Sequence, residues 1–324
     1  MDNPMLNSIL RWSISQTDTG SERDPNAPPV EMDPEKREFL ERVMNQMVED
    51  EGKSMKDLVE AIKGPEQSLE QASVKVDALE QAIDRCDKID YAVGFHSFAN
   101  GLFPTIELLE TSEHGNVRAT AAELIALVVK DNPPCQAWAF EGQALPRLLA
   151  LHRGEVRDGG PVGETEKIRA VAALSALIQH TPEAQLAFLQ AGGLDDLQRD
   201  LALDAPRRLR ARTLFVTRSL VAESPEARRA CLERAGLLTL LATNSVADDA
   251  ECAEHATASL CALCEVPAGP KAGIAPLIAA LPPDYLKLLR ARMAKLEADP
   301  DAAEALAAAS SLVEALTAAG VTER

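Results

Sequence analysis

Apolar residues recur along most of the chain at three- and four-residue steps, the spacing of one face of an α-helix. The pattern starts after Pro34, a residue type favoured in the first helical turn. A second helix is predicted around residues 55–62, and Gly64 with Pro65 ends it. Few segments alternate apolar and polar residues as strands do. The fold class is therefore predicted to be all-α.

A sequence repeat follows from about Leu79 onward. Three times, a basic residue precedes a proline by fifteen positions, in the pairs Arg118 and Pro133, Lys167 and Pro182, and Arg210 and Pro225. Leucine stands twelve and fifteen positions after each of these prolines. The prolines lie 49 and 43 residues apart, and a glycine-rich insertion at residues 154–165 accounts for the longer interval.

A period of this length with three helices per unit is typical of armadillo arrays, in which each unit buries its apolar face only against its neighbours. We therefore predict an armadillo-like helical repeat solenoid with capping helices. Its predicted parts are a flexible N-terminal segment (1–32), N-terminal helices (33–76), armadillo-like repeats (77–270) and C-terminal capping helices (271–324).

The helix that begins at each basic residue has two distinct sides. Positions 3, 6 and 10 after the basic residue are mostly small or apolar and are predicted to be buried. These positions hold Ala121, Leu124, Val128, Ala170, Ala173, Leu177, Thr213, Val216 and Leu220. Positions 5, 8 and 12 lie on the opposite side and form a mixed polar ladder, with Glu123, Ala126, Lys130, Ser175, Gln179, Phe215 and Arg218.

Five arginines cluster on the third of these helices, at positions 207, 208, 210, 212 and 218, without an acidic residue among them. Guanidinium groups pair bidentately with carboxylates and are enriched at protein interfaces. The cluster therefore indicates a protein surface as the partner. The alternative is an ordinary solvated helix end.

The charge of the whole chain narrows the class of partner. A formal net charge of -18 disfavours nucleic acid and anionic membranes. The 324 residues contain no apolar run of membrane-spanning length and no signal-peptide core. We expect a cytosolic monomer, with a nuclear pool left open, whose six cysteines are thiols rather than a disulfide framework.

No motif in the sequence indicates catalysis. Cys252, His255, Cys261 and Cys264 have ligand types suited to zinc, but on one helix they would point in divergent directions. The glycines at 159–163 lack the flanking residues of a phosphate-binding loop. The chain also has no H-x-x-x-H motif and no Gly-x-Ser-x-Gly elbow. We expect neither an enzyme nor a bound cofactor.

The N-terminal segment carries a short apolar motif, Leu10, Trp12 and Ile14, ahead of a polar linker at residues 16–34. A few apolar residues on a polar tether commonly bind in trans. The alternative is a terminus that packs against its own domain.

Particular residues resemble a known family. The stretches Leu10-Arg11-Trp12-Ser13-Ile14, Ile89-Asp90-Tyr91-Ala92 and Phe95-His96-Ser97 are similar to the armadillo-type nucleotide exchange factors of the heat-shock protein 70 chaperone. This is the Fes-one and Hsp-seventy-binding-protein family, here of plant or algal type. Leu209-Arg210-Ala211-Arg212 with Phe215 resembles its fourth unit, and the likeness covers roughly residues 5–265.

The resemblance implies a co-chaperone whose concave face binds the chaperone's nucleotide-binding domain and accelerates ADP release. The N-terminal motif would enter the substrate-binding domain and help to expel clients. Combined with the helix faces, it gives the predicted contacts Asp90, Ala92, Arg118, Glu123, Lys130, Arg169, Ser175, Gln179, Arg210, Arg212 and Arg218. The alternative is another armadillo adaptor for cargo or scaffolding. A nuclear-import adaptor would carry tryptophans on that face, whereas Trp12 and Trp138 lie elsewhere.

Overall fold

A computed structural model describes residues 34–156, 161–265 and 274–322, which form helices and connecting segments without a strand. The chain divides into two compact units, residues 1–57 and 58–324. Helix α1 spans Pro34–Lys63. The prediction of two helices in this region was wrong. Gly52, the weakest helix former in the segment, costs a helix only about 1 kcal/mol and does not end it.

The second unit continues with helices grouped three at a time. After α2 (Leu69–Cys86) come α3 (Ile89–Ser97), α4 (Leu102–Thr111) and α5 (Gly115–Val129). The next two groups are α6 (Pro133–Glu141), α7 (Ala144–Arg153) and α8 (Glu164–Ile178), then α9 (Pro182–Gln190), α10 (Gly193–Asp200) and α11 (Arg207–Glu223). The last helices are α12 (Pro225–Leu232), α13 (Ala235–Ser245), α14 (Ala250–Cys264), α15 (Ala275–Ala280), α16 (Tyr285–Leu296) and α17 (Ala303–Ala318).

The repeated prolines begin helices, as the sequence predicts. Pro133, Pro182 and Pro225 each occupy the first turn of the short helix that follows a long one. Proline suits this place because the first-turn N–H groups have no partner within the helix. Ser224 adds a side-chain cap, since its hydroxyl accepts a hydrogen bond from the Ala227 amide at 3.2 Å.

The long helices pack side by side in the order α2, α5, α8, α11, α14 and α17, and each group adds its two short helices to this ladder. The positions predicted to be buried lie in the core: Ala121, Leu124, Val128, Ala170, Ala173, Leu177, Thr213, Val216 and Leu220 are each at most 2% exposed. The all-α armadillo-like solenoid is therefore confirmed.

The helices at both ends of the array are interrupted. Asp87 and Lys88 separate α2 from α3. At the C-terminal end, α16 and α17 lie on either side of Asp299 and Pro300. Among the helices described here, none has the length and apolar character needed to cross a membrane.

Candidate interaction face on the long helices

The exposed sides of α5, α8, α11 and α14 form the candidate interaction face. Glu123 on α5 and Arg169 on α8 form an ion pair across neighbouring units, and both side chains are partly exposed. Lys130 and Gln179 are the C-caps of α5 and α8. Lys130 is exposed and Gln179 is half-buried. These positions follow the mixed polar ladder that the helix periodicity predicts.

Arg207, the first arginine of the α11 cluster, forms ion pairs with acidic residues at the start of the next unit. Arg207 Nε lies 2.6 Å from Asp249 Oδ2, and its Nη2 lies 3.2 Å from Glu251 Oε2. Asp249 is the N-cap of α14 and accepts from the Cys252 amide at 3.2 Å. Burial raises the pKa of Asp249, but the Cys252 amide and Arg207 outweigh it, so the net pKa lies below its usual value.

Arg210, the third arginine of the cluster, makes a hydrogen bond within its own chain. Its Nη1 donates to the Leu203 carbonyl at 2.8 Å, and its Nε is buried without a partner among the described residues. The guanidinium thus holds the segment that leads into α11. Because Arg210 is half-buried and its Nη1 binds the chain's own backbone, its leading role in partner contact stays a prediction, and Arg212 is the more exposed of the two residues.

Arg218 is also engaged, at the other end of the face. Its Nη1 lies 3.3 Å from His255 Nδ1 and 3.5 Å from Glu254 Oε1. The arrangement requires a neutral imidazole, because Nδ1 can accept only when it carries no proton. Burial lowers the pKa of His255, and the nearby Arg218 lowers it further.

Two arginines are left uncommitted. Arg208 and Arg212 are exposed, and neither makes a hydrogen bond or ion pair with any residue that the structure describes. Both line a cleft of about 330 Å³ together with Ile168, Phe215 and His255. The Phe215 and His255 rings meet edge to face, with centroids 5.5 Å apart. Within the part of the chain that the structure describes, the cleft therefore combines two unpaired arginines with apolar and aromatic surface, and Glu251 also lines it.

Three predicted contact residues lie in the core instead. Arg118 is 1% exposed, Ala92 is 3% exposed and Ser175 is 6% exposed. Arg118 is enclosed because it bonds to Glu166 and to the Ser112 carbonyl. Ser175 is covered because α8 packs against both α5 and α11. These three residues are removed from the set that can touch a partner directly.

The remaining predicted residues are dispersed. Asp90 is exposed in the first turn of α3, outside the row of long helices. Leu10, Trp12 and Ile14 lie outside the described residues. The structure therefore places Arg212 and Phe215 in one cleft, joins Arg218 to it through His255, and places Arg169 on the neighbouring helix.

Sequence reasoning missed His255 as part of this face, although a signal was present. Arg169, Arg212 and His255 are spaced by 43 residues each and occupy the same position on α8, α11 and α14. His255 was considered only as a zinc ligand together with the nearby cysteines, and the helix geometry argued against that site. Arg208 was counted in the arginine cluster. Its lack of an acidic partner among the described residues could not be predicted, because the acids at the start of α14 pair with Arg207 instead.

A ladder of long helices, with a cleft lined by exposed arginines and aromatic rings, defines an armadillo-type solenoid. The chain belongs to the SIL1/FES1/HPBP1 family of nucleotide exchange factors. Residues 6–92 match the family described as "Nucleotide exchange factor Fes1", and residues 97–235 match "SIL1/FES1/HPBP1 C-terminal domain".

Individual relatives agree with this assignment. Hsp70-binding protein 1 of Macaca fascicularis is 25% identical over 272 residues, which cover 81% of this chain and 72% of that protein. Nucleotide exchange factor SIL1 of Rattus norvegicus is 29% identical over 188 residues, 58% of this chain and 38% of its own length. A designed armadillo repeat protein in complex with the peptide (KR)4 superposes with a TM-score of 0.65 at 20% identity, covering 81% of this chain and 98% of that one. The last likeness concerns the fold.

Proposed function

We propose that this chain is a co-chaperone that binds the nucleotide-binding domain of a heat-shock protein 70 chaperone and accelerates release of ADP. Relatives that carry the names Hsp70-binding protein and nucleotide exchange factor support this assignment. The observation that carries it is the cleft on α8, α11 and α14, where Arg208 and Arg212 stand uncommitted beside Phe215. A cleft of this kind suits a protein surface that presents a carboxylate next to an apolar side chain.

The mechanism requires no covalent chemistry. A ligand shifts a conformational equilibrium only by its differential affinity for the two states. The solenoid would bind the open nucleotide-binding domain more tightly than the closed, ADP-loaded one. Binding then lowers the population of the closed state, and ADP leaves.

The proposed contact set follows from exposure. Arg208, Arg212 and Phe215 form its centre, and the flanking residues are Glu123, Lys130, Arg169, Gln179 and Arg218. Asp90 contributes from α3. We retain the proposal that the segment 1–32, with Leu10, Trp12 and Ile14, acts on the substrate-binding domain, and that residues 77–270 form the gripping array between helices 33–76 and 271–324. The chain is proposed to act as a monomer in the cytosol, where its free thiols would persist.

The rate of ADP release tests the proposal. Substoichiometric amounts of this chain should accelerate release of a fluorescent ADP analogue from the chaperone. Arg212→Glu should reduce the acceleration by about tenfold, because it places a negative charge where a carboxylate is expected. Arg229→Glu is the control, since Arg229 is also exposed but lies on α12 away from the cleft, where its only described ion pair is with Glu226 of the same helix. If ADP leaves the chaperone no faster with a molar excess of this chain than without it, the proposal is refuted.

A second candidate is an adaptor that holds an acidic peptide. The designed armadillo protein is in complex with a basic peptide, whereas the cleft here presents arginines. Such an adaptor would bind its partner through Arg208 and Arg212 without changing the rate of ADP release. The same kinetic assay therefore separates the two functions.

A further inference from the structure

A connected series of buried polar groups runs through the first three long helices. Lys75 Nζ on α2 lies 3.0 Å from Glu66 Oε2, and the Ser112 hydroxyl donates to Glu66 Oε1 at 2.5 Å. Arg118 on α5 donates through Nη1 to the Ser112 carbonyl at 2.8 Å. Its Nε and Nη2 lie 2.8 and 2.7 Å from Glu166 Oε1 on α8. The series joins α2, α5 and α8.

The Arg118–Glu166 pair is the most enclosed link of this series. The side chains of Arg118 and Glu166 are 1% and 8% exposed. The second oxygen of Glu166 accepts from the Gly163 amide at 2.8 Å, so the carboxylate also caps the start of α8. Removal of either charge would leave the other buried and unpaired.

The sequence makes room for this carboxylate. A Cβ atom on Gly115, the first residue of α5, would lie 2.8 Å from Glu166 Oε2. Any larger residue there would push the carboxylate out of its position. Gly115 therefore permits the close approach of α5 to the start of α8.

The pair lies at the start of α8, which follows the longest of the connections that lead into α5, α8, α11 and α14. Residues 154–163 connect α7 to α8, whereas the corresponding connections before α5, α11 and α14 are the shorter segments 112–114, 201–206 and 246–249. A longer connection restricts the position of the following helix less. Side-chain bonds to Glu166 therefore supplement the connection at the start of α8, as those of Arg210 and Arg207 do at the starts of α11 and α14.

We propose that Arg118 and Glu166 are positioning residues for nucleotide exchange, because they lock α8 against α5 and so keep the interaction face in one shape. The proposal rests on the exchange function proposed above. A face that can flex at this junction would fit the open and the closed nucleotide-binding domain equally well. Equal affinity for both states shifts no equilibrium. By holding α8 against α5, the Arg118–Glu166 pair would set how strongly the chain prefers the open nucleotide-binding domain to the closed one.

The test compares Glu166→Gln with a control that lowers stability elsewhere. Leu316→Ala removes a fully buried side chain from α17, at the far end of the array. Thermal unfolding first establishes the loss of stability in each variant, and all rates are then measured at a temperature where both are folded. The readouts are the affinity for the chaperone's nucleotide-binding domain and the rate of ADP release at saturating concentration of the chain.

We expect Glu166→Gln to bind the chaperone but to lower the saturating release rate by about fivefold or more, while Leu316→Ala retains that rate. An unchanged saturating rate in Glu166→Gln would overturn the proposal, and so would an equal loss in Leu316→Ala. If Glu166→Gln does not fold, Gly115→Ala displaces the same carboxylate without removing a charge and should lower the rate in the same way. Failure of the unaltered chain to accelerate release would instead contradict the exchange function itself.

Discussion

Arg218 on α11 and His255 on α14 are joined by a hydrogen bond in which the imidazole Nδ1, 3.3 Å from Nη1, is the acceptor. The bond links adjacent units across the interaction face and exists only while the ring is neutral. Protonation would place a third positive charge beside Arg212 and Arg218. Both this hydrogen bond and the local charge of the interaction face therefore depend on a neutral His255.

The first prediction follows from the lowered pKa of His255. Because the unfolded chain takes up this proton before the folded chain does, the free energy of unfolding should fall as pH drops below the unfolded pKa of about 6.5. His255→Gln should make the loss of Tm between about pH 7.5 and pH 5.5 smaller. Burial also lowers the pKa of His96, so part of the pH dependence should persist.

His114→Gln is the control for this measurement, because His114 lies in the segment before α5 and away from the cleft. A His255→Gln variant with the pH profile of the unaltered chain would contradict the assignment of His255 as a half-buried, neutral imidazole. Differential scanning calorimetry at several pH values gives the required midpoints.

The second prediction separates Arg210 from Arg212. Arg210→Ala leaves the Leu203 carbonyl without its donor and should lower the free energy of unfolding by about 1–2 kcal/mol, with little change in chaperone affinity. Arg212→Ala should weaken binding and leave stability unchanged. Urea unfolding and titration calorimetry measure the two quantities. The reverse pattern would return Arg210 to the contact set.

Periodicity could predict the helices and their buried positions but not the roles of these arginines. The repeated basic residue lies between the buried and exposed sides of its helix, since side chains advance by about 100° per residue. From such a boundary a long side chain can reach either solvent or the core. Arg118 and Arg210 turn inward because loop carbonyls and, for Arg118, Glu166 are within reach, and those partners come from other segments of the chain.

The same limit applies to the cleft. The position shared by Arg169, Arg212 and His255 could be found from the 43-residue spacing. Whether an arginine at the face is free depends on acids from the next unit, such as Asp249, which pairs with Arg207. Local sequence does not contain that information, because the partner is supplied by packing of the following helix.

The third prediction concerns packing between the two short helices of one unit. A Cβ atom on Gly193, the first residue of α10, would overlap the ring of Phe188, which is 1% exposed. Gly193→Ala should therefore lower the free energy of unfolding by about 1–3 kcal/mol. Gly94→Ala is the matched control, because no atom beyond the backbone of its own helical turn and its chain neighbours lies within 4 Å of the position that its added methyl group would occupy. Equal stabilities of the two variants would contradict this account of the turn.

The fourth prediction concerns the N-terminal motif. Deletion of residues 1–20 removes Leu10, Trp12 and Ile14 but none of the proposed contacts on the array. The shortened chain should accelerate ADP release normally and should release a bound client peptide from the chaperone more slowly than the full chain does. Loss of nucleotide exchange itself would show that the two activities are not divided in this way.

The affinity of this chain for the chaperone's nucleotide-binding domain, measured with and without saturating ADP, tests the central claim most directly. Because linkage is reciprocal, a chain that expels ADP must itself bind the ADP-loaded domain less tightly. We predict an affinity for the nucleotide-free domain that is higher by about tenfold or more. Equal affinity in the two states would contradict the account, since a ligand without preference cannot open the domain.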